Sequence, residues 1–290
     1  MKKTALFRRH VMEEKILMVP VAHDALCARI AQKTGFKAVC SAGYANTAAL
    51  LGKPDVSLLG LSEMVDCAWR IADATELPVL ADGDTGHGNV TNVVRTVRLH
   101  EKAGVAALII EDQVAPKRCG HMSGKQVIPV FEMEAKIKAA VDARIDPDFV
   151  IVARTDAIAV NGLNDALERA HRYVNAGADF IFVEAPETVE QMSAITREIR
   201  VPTLANMVPG GKTPVLTAER LQEIGFSLAI YPTAATYVIA QAVSRFFDAL
   251  LRTGDLENLQ DRMILFDDFN DLVGLAEIQQ TEEKYYGHAK

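Results

Sequence analysis

The chain has 290 residues, 49% hydrophobic and 24% charged, with 31 Lys and Arg against 38 Asp and Glu and a formal net charge of −7. That composition supplies a large core and lacks the long polar tracts of a disordered chain. Acids and bases are mixed without a basic stripe, which argues against nucleic acid as a partner, and no apolar run reaches the roughly 20 residues of a membrane span.

The N-terminus, MKKTALFRRHVMEEK, carries two basic clusters and no apolar stretch, so it does not read as a secretory signal. Cys27, Cys40, Cys67 and Cys119 show no CxxC spacing, and the first three lie in apolar segments. That is the usage of small buried hydrophobes in a reducing cytoplasm. Further along, one unit recurs: an amphipathic helix, a glycine, then a short apolar strand. It occurs as KTGFKAVCSA, KAGVAALIIED, NAGADFIFVEA and EIGFSLAIYP. Glycine suits a helix C-terminus because left-handed backbone costs it nothing. The β-branched runs that follow suit strands buried on both faces.

In chain order the same rule predicts strands at Leu17–Val21, Ala38–Ser41, Pro78–Asp82 and Ala107–Glu111. Four more follow at Phe149–Arg154, Phe180–Glu184, Pro202–Asn206 and Leu228–Tyr231. The strongest helices between them are Leu61–Ala74, Asn89–Ala103, Glu132–Ala143, Leu163–Asn175 and Ala218–Ile224. Strict alternation implies a parallel sheet, and eight units favour a closed (β/α)8 barrel. The open doubly wound sheet is the weaker choice, because no GxGxxG follows the first strand. One domain over residues 1–290 is expected, with a helical extension from about Gly254. Trp69 reads as helix-to-barrel packing, and His100 and His171 as solvent-facing helical residues.

Polar residues fall at strand C-termini: Asp82 and Asp84, Glu111 and Asp112, Arg154 and Asp156, Glu184, Asn206. In a parallel barrel these ends share one face, so the groups converge on one mouth. Carboxylates crowded there need neutralising, and oxygen-only donors select a hard cation, magnesium or manganese. Between the fourth strand and the next helix lies EDQVAPKRCGHMSGKQVIP, long enough for a lid. In it Cys119 is flanked by Lys117, Arg118 and His121, whose positive charge is expected to lower the thiol pKa and ease proton exchange.

The motifs DGDTGHGN, IIEDQVAPKRCGH, VARTDA, FVEAP and NMVPGGKTP together resemble the isocitrate lyase / phosphoenolpyruvate mutase superfamily, lyase branch. The resemblance implies a (β/α)8 barrel, commonly a homotetramer whose last helix swaps between subunits. It implies Asp82, Asp84 and Glu111 at a magnesium site, Asp55 beside substrate and metal waters, and Arg154 on the 2-oxo-acid carboxylate. Glu184 would stand at the reacting centre, Asn206 and Thr213 on the leaving carboxylate, and Gly43 and Tyr44 on a loop whose amides grip the pyruvate part. Cys119 would be the catalytic acid, with Lys117 and His121 beside it. The implied reaction is carbon–carbon cleavage of a 2-hydroxy acid with further carboxylates. Pro209 and Tyr237 stand where tricarboxylate lyases carry a glutamate and an arginine, which favours a 2-alkylmalate such as 2,3-dimethylmalate. The alternatives are 2-methylisocitrate cleavage, phosphonomutase chemistry, oxaloacetate hydrolysis, or a silent dicarboxylate-binding barrel.

Overall fold

A computed structural model describes residues 1–13 and 15–287. Its strands are β1 (Leu17–Pro20), β2 (Val39–Ser41), β3 (Val79–Asp82), β4 (Ala107–Glu111), β5 (Val150–Thr155), β6 (Phe180–Val183), β7 (Thr203–Asn206) and β8 (Leu228–Tyr231). They form one eight-stranded parallel sheet in the order β1-β8-β7-β6-β5-β4-β3-β2. The two ends of that order meet: Val21 bridges Cys40 in parallel, and the Ala22 N–H donates to the Cys40 carbonyl at 2.8 Å. The sheet is thus the expected (β/α)8 barrel.

The helices are α1 (Lys3–Val11), α2 (Ala25–Thr34), α3 (Gly43–Leu51), α4 (Leu61–Ala74), α5 (Val90–Lys102) and α6 (Val130–Ala143). After them come α7 (Ile158–Asn161), α8 (Leu163–Asn175), α9 (Val189–Glu198), α10 (Ala218–Ile224), α11 (Ala234–Thr253), α12 (Phe266–Val273) and α13 (Leu275–Tyr286). Their starts follow side-chain chemistry. Asp24, Asn89, Thr188 and Thr217 each accept a hydrogen bond from a backbone N–H in the first turn, satisfying donors that the helix cannot. α2 and α10 end on Gly35 and Gly225 at φ 98° and 108°, backbone that a side chain would strain.

The described chain divides into two compact units, Met1–Ala235 and Thr236–Lys290. The first holds the barrel. In it one apolar layer lies between sheet and helices, and a second fills the barrel interior. α1 seals the end away from the site: Phe7 is buried with its ring 6.3 Å from that of Phe180, and Arg8 reaches Asp179 Oδ1 at 2.8 Å. The second unit is helical, with Leu251 and Phe266 over 80% exposed at 88% and 81%. No helix among the described residues is long and apolar enough to cross a membrane.

Two helical residues differ from expectation. His100 is fully buried, because it completes the inward stripe Val93, Thr96, Val97, His100 of α5. Trp69 is 47% exposed, off the buried stripe Met64, Cys67, Ala68, Ile71 of α4.

Candidate active site

Alternate side chains of a strand point the same way, so the barrel interior is a stack of inward residues two apart. β4 turns in Ala107 and Ile109, β5 Val150 and Val152, and β6 Phe180 and Phe182. One more step of the same period gives Glu111, Arg154 and Glu184; on β3 it gives Asp82 after Leu80, and on β7 Asn206 after Leu204. The apolar stacks therefore end in a polar ring at the strand C-termini, the face where barrel chemistry occurs. A cavity opens there, with Cys40, Ile109, Phe182 and Ile230 below and Asp55, Asp82, Lys117, Arg154, Glu184 and Asn206 around it.

Arg154 ties the ring together. Its Nε lies 3.1 Å from Glu111 Oε2 and 2.8 Å from Asp156 Oδ2, and its Nη2 lies 3.1 Å from Glu184 Oε2. Its guanidinium stacks 4.9 Å above the Phe182 ring, a cation–π contact. Asn206 Nδ2 donates to both oxygens of Glu184 at 3.3 and 3.2 Å. Asp112, one residue beyond the inward period, turns away from the mouth. It accepts from Tyr173 Oη at 2.7 Å and pairs with Arg169 at 3.2 Å in the helical layer.

The loop between β4 and α6 is folded onto the mouth. Its limbs join at the antiparallel bridge Gln113↔Val127, and buried Lys125 bonds Asp156 Oδ1 at 2.7 Å and the Gly120 carbonyl. Cys119, Gly120 and His121 thereby line the cavity. Gly120 passes so close to the ring that a Cβ there would lie 2.5 Å from Glu184 Cδ and 2.6 Å from Arg154 Nη2. A Gly120→Ala variant is therefore expected to lift this loop and lower kcat roughly a hundredfold, with the melting temperature little changed. Steady-state kinetics beside a thermal scan checks both.

The Cys119 thiol departs from expectation in sign. Burial pushes its pKa up; the His121 backbone N–H offsets this in part, while Glu184 and Asp55 add to it. The flanking cations serve other groups. Lys117 Nζ lies 2.7 and 2.8 Å from the two Asp55 oxygens and 3.0 Å from Asp84 Oδ1. Arg118 donates to the Ser123 carbonyl at 3.2 Å. The sulfur thus stays protonated at neutral pH, the form a proton donor needs. His121 is fixed by its second nitrogen: the Lys212 N–H donates to Nδ1 at 3.0 Å, leaving Nε2 to carry the proton 3.4 Å from Glu184 Oε1.

Five buried carboxylates (Asp55, Asp84, Glu111, Asp156, Glu184) and the half-buried Asp82 face three permanent cations (Lys117, Lys125, Arg154). The surplus appears as retained protons. Burial drives Asp84 up to about 7, with Asp82 and Asp55 adding to it against Lys117. Burial likewise holds Glu111 well above the carboxylate range. Asp82 stays low despite burial because Lys117 and Arg154 face it. These are hard oxygen donors short of positive charge, and buried Glu111 Oε1 lacks any hydrogen-bond partner. The chemistry fits a hard divalent cation. A Cβ on Gly43 would fall 2.9 Å from Asp82 Oδ2 and 3.5 Å from Asp84 Oδ1, so glycine keeps open the gap that both acids flank. The oxygens of Asp82, Asp84 and Glu111 do not gather within 4.8 Å of one another, a spread that suits an ion keeping several waters.

Gly43 and Tyr44 form the first turn of α3, where a loop was expected. The Gly43 N–H donates to Asp82 Oδ2 at 3.0 Å, and Tyr44 lines the cavity. Thr213 is buried with its hydroxyl unpaired. Tyr237 lies on α11 in the second unit, 41% exposed. Sequence reasoning left Lys125 and Phe182 out of the site. Phe182 was within reach, being the inward residue before Glu184; nothing near Lys125 marks its depth.

The chain matches the family model described as phosphoenolpyruvate phosphomutase over residues 7–251. It is 47% identical to the 2,3-dimethylmalate lyase of Eubacterium barkeri, covering 98% of this chain and 99% of that one. It is 43% identical to the chloroplastic carboxyvinyl-carboxyphosphonate phosphorylmutase of Arabidopsis thaliana, covering 96% and 84%. A crystal structure of a 2,3-dimethylmalate lyase superposes with TM-score 0.92 at 32% identity, covering 100% of this chain and 97% of that one. With its barrel, acid ring and KRCGH loop, this chain belongs to the PEP mutase/isocitrate lyase superfamily.

Proposed function

We propose that the chain is a magnesium-dependent carbon–carbon lyase, with manganese a workable substitute. Its substrate would be a 2-hydroxy dicarboxylate, a 2-alkylmalate such as 2,3-dimethylmalate, cleaved to pyruvate and a simple carboxylate. The observation that carries the reading is Cys119 facing an arginine and a carboxylate ring across a cavity with an apolar floor. The 47% identity to a 2,3-dimethylmalate lyase over nearly the full length supports it.

Asp82, Asp84 and Glu111 would hold the metal, which when bound would polarise the substrate hydroxyl and lower its pKa. Arg154 orients the carboxylate beside that hydroxyl. Glu184 takes the hydroxyl proton, and the carbon–carbon bond breaks with its electron pair left on the carbon next to the second carboxylate. Asn206 donates to that carboxylate as charge builds. The Cys119 S–H then delivers its proton to the carbon, while the seated loop keeps bulk water away. The proton held by Glu184 makes good the one lost from sulfur, with His121 beside the path, so the enzyme returns unchanged.

The cavity's two permanent cations, Lys117 and Arg154, are already paired with protein acids. A third substrate carboxylate would be buried without a partner, at a cost of several kcal/mol. The floor of Ile109, Phe182 and Ile230 suits alkyl groups instead. Pyruvate release from 2,3-dimethylmalate, 2-methylisocitrate and oxaloacetate, with a phosphonate substrate followed by phosphorus NMR, tests the reading. We expect kcat/KM for dimethylmalate to exceed that for methylisocitrate by roughly tenfold or more. Turnover of the phosphonate alone would overturn it.

Gly43→Ala is expected to weaken magnesium binding by roughly tenfold by closing the gap between Asp82 and Asp84; calorimetric titration reads this directly. The same reading includes a homotetramer with exchanged C-terminal helices, acting in the cytoplasm. Light scattering on the purified chain, 31.6 kDa per copy, tests the assembly.

A further inference from the structure

We propose a second cation site, for a borderline transition-metal ion of the zinc class, formed by His23, Asp24 and Cys27 where β1 passes into α2. One donor atom from each lies within 4.8 Å of the others. His23 Nε2 stands 3.7 Å from Cys27 Sγ and 3.7 Å from Asp24 Oδ2. Zinc bonds of about 2.0–2.3 Å in a tetrahedron set N···S and N···O separations at about 3.6 and 3.4 Å. The N···S and N···O edges therefore stand within a few tenths of an ångström of a coordination tetrahedron, and the third pair of donors lies within 4.8 Å.

The local structure divides the work of Asp24. Its Oδ1 accepts from the Cys27 N–H at 2.8 Å and starts α2, which leaves Oδ2 for an ion. His23 precedes the N-cap Asp24 and Cys27 lies in the first turn of α2, and the 3.7 Å separation of Nε2 and Sγ shows that both side chains fall on one side of that turn. An imidazole nitrogen, a thiol sulfur and one carboxylate oxygen are the wrong set for magnesium and the right set for zinc or cobalt. This separates the site from the oxygen-lined barrel mouth. Burial first, then Asp24, pushes the Cys27 thiol up to about 12. Binding therefore transfers the Sγ proton to solvent as the sulfur–metal bond forms. The Asp24 carboxylate and Cys27 thiolate together cancel the ion's charge, so the start of α2 meets a neutral cluster. His23 and Asp24 also line an open groove with Asp66, Cys67, Trp69 and Arg70. A fourth position is thus open to water, and the ion would clip the β1 exit to α2.

The test uses the full chain, stripped with chelator and refilled with excess magnesium, then titrated with Co²⁺ by absorbance. A thiolate-to-cobalt charge-transfer band that saturates at one ion per chain and is erased by Zn²⁺ is expected. Cys27→Ser should remove the band and weaken Co²⁺ binding by roughly tenfold or more, while Cys67→Ser and Cys119→Ser keep it. If Cys27→Ser does not fold, His23→Asn reads the same site and should lose the band. A wild-type chain with no thiolate band under excess Co²⁺, or a band lost with Cys119 or Cys67 and kept without Cys27, overturns the proposal.

Discussion

Replacing Cys119 with serine is expected to lower kcat by roughly 10²- to 10⁴-fold, the span over which a positioned proton donor acts, while pyruvate still binds with magnesium. The substitution is nearly isosteric, so the loop contacts made by Lys125 and Gly120 stay in place. What changes is the donor. A serine hydroxyl holds its proton far more tightly than even the raised thiol, so the carbanion collapses back to substrate faster than it is quenched. Single-turnover kinetics separates the steps, and isothermal titration of pyruvate checks that the ground-state site is intact. A second readout follows from the raised thiol pKa: alkylation of Cys119 in the wild type should be slow at pH 7 and rise with pH, since the thiolate is the nucleophile. Undiminished turnover in Cys119→Ser would move the acid's role to His121.

The barrel was legible because its grammar is local. Glycines such as Gly35 and Gly225 mark helix ends, and the runs behind them become β2 and β8. The acid ring was legible for the same reason. A period of two carried past Ile109 lands on Glu111, and past Phe182 on Glu184, with parallel topology bringing them to one face. The same arithmetic shows why Asp112 went astray: one step off the period sends a side chain to the opposite layer, where Tyr173 and Arg169 receive it.

Partner choice was not legible. Lys117 and Arg118 sit beside Cys119 in sequence, yet Lys117 is taken by Asp55, 62 positions away, and by Asp84. Nearness along the chain thus misjudged the field at the sulfur, which burial and two carboxylates set. α3 was hidden because GYANTAALL has glycine and small residues but no amphipathic stripe. For α5 the stripe is present in the sequence, and the position of His100 on it, not its polar type, decides its burial.

Lys125→Met should produce the largest loss of stability among single changes at the site. Lys125 and Asp156 are both buried, 2.7 Å apart, and the lysine also holds the Gly120 carbonyl. Methionine fills the space of the stem but leaves one Asp156 oxygen with less compensation. Breaking a buried pair from one side costs about 3–5 kcal/mol. Arg154 stays on Asp156 at 2.8 and 3.1 Å, so the lower end, about 3 kcal/mol, is expected. For a chain of this size that is a fall in melting temperature of roughly 6–10 °C. Asp156, now held at about 2 by Arg154 and Lys125 against burial, should titrate higher in the variant. Stability with a depressed carboxylate is present above its unfolded pKa and lost as pH falls through the folded value. The wild-type advantage over Lys125→Met should therefore be full at neutral pH and shrink on acidification. The Gly120 carbonyl loses its anchor at the same time, so the Cys119 loop should become open to limited proteolysis between residues 114 and 126. An unchanged melting temperature with unchanged protease resistance would mean that Lys125 neither pairs with Asp156 nor seats the loop.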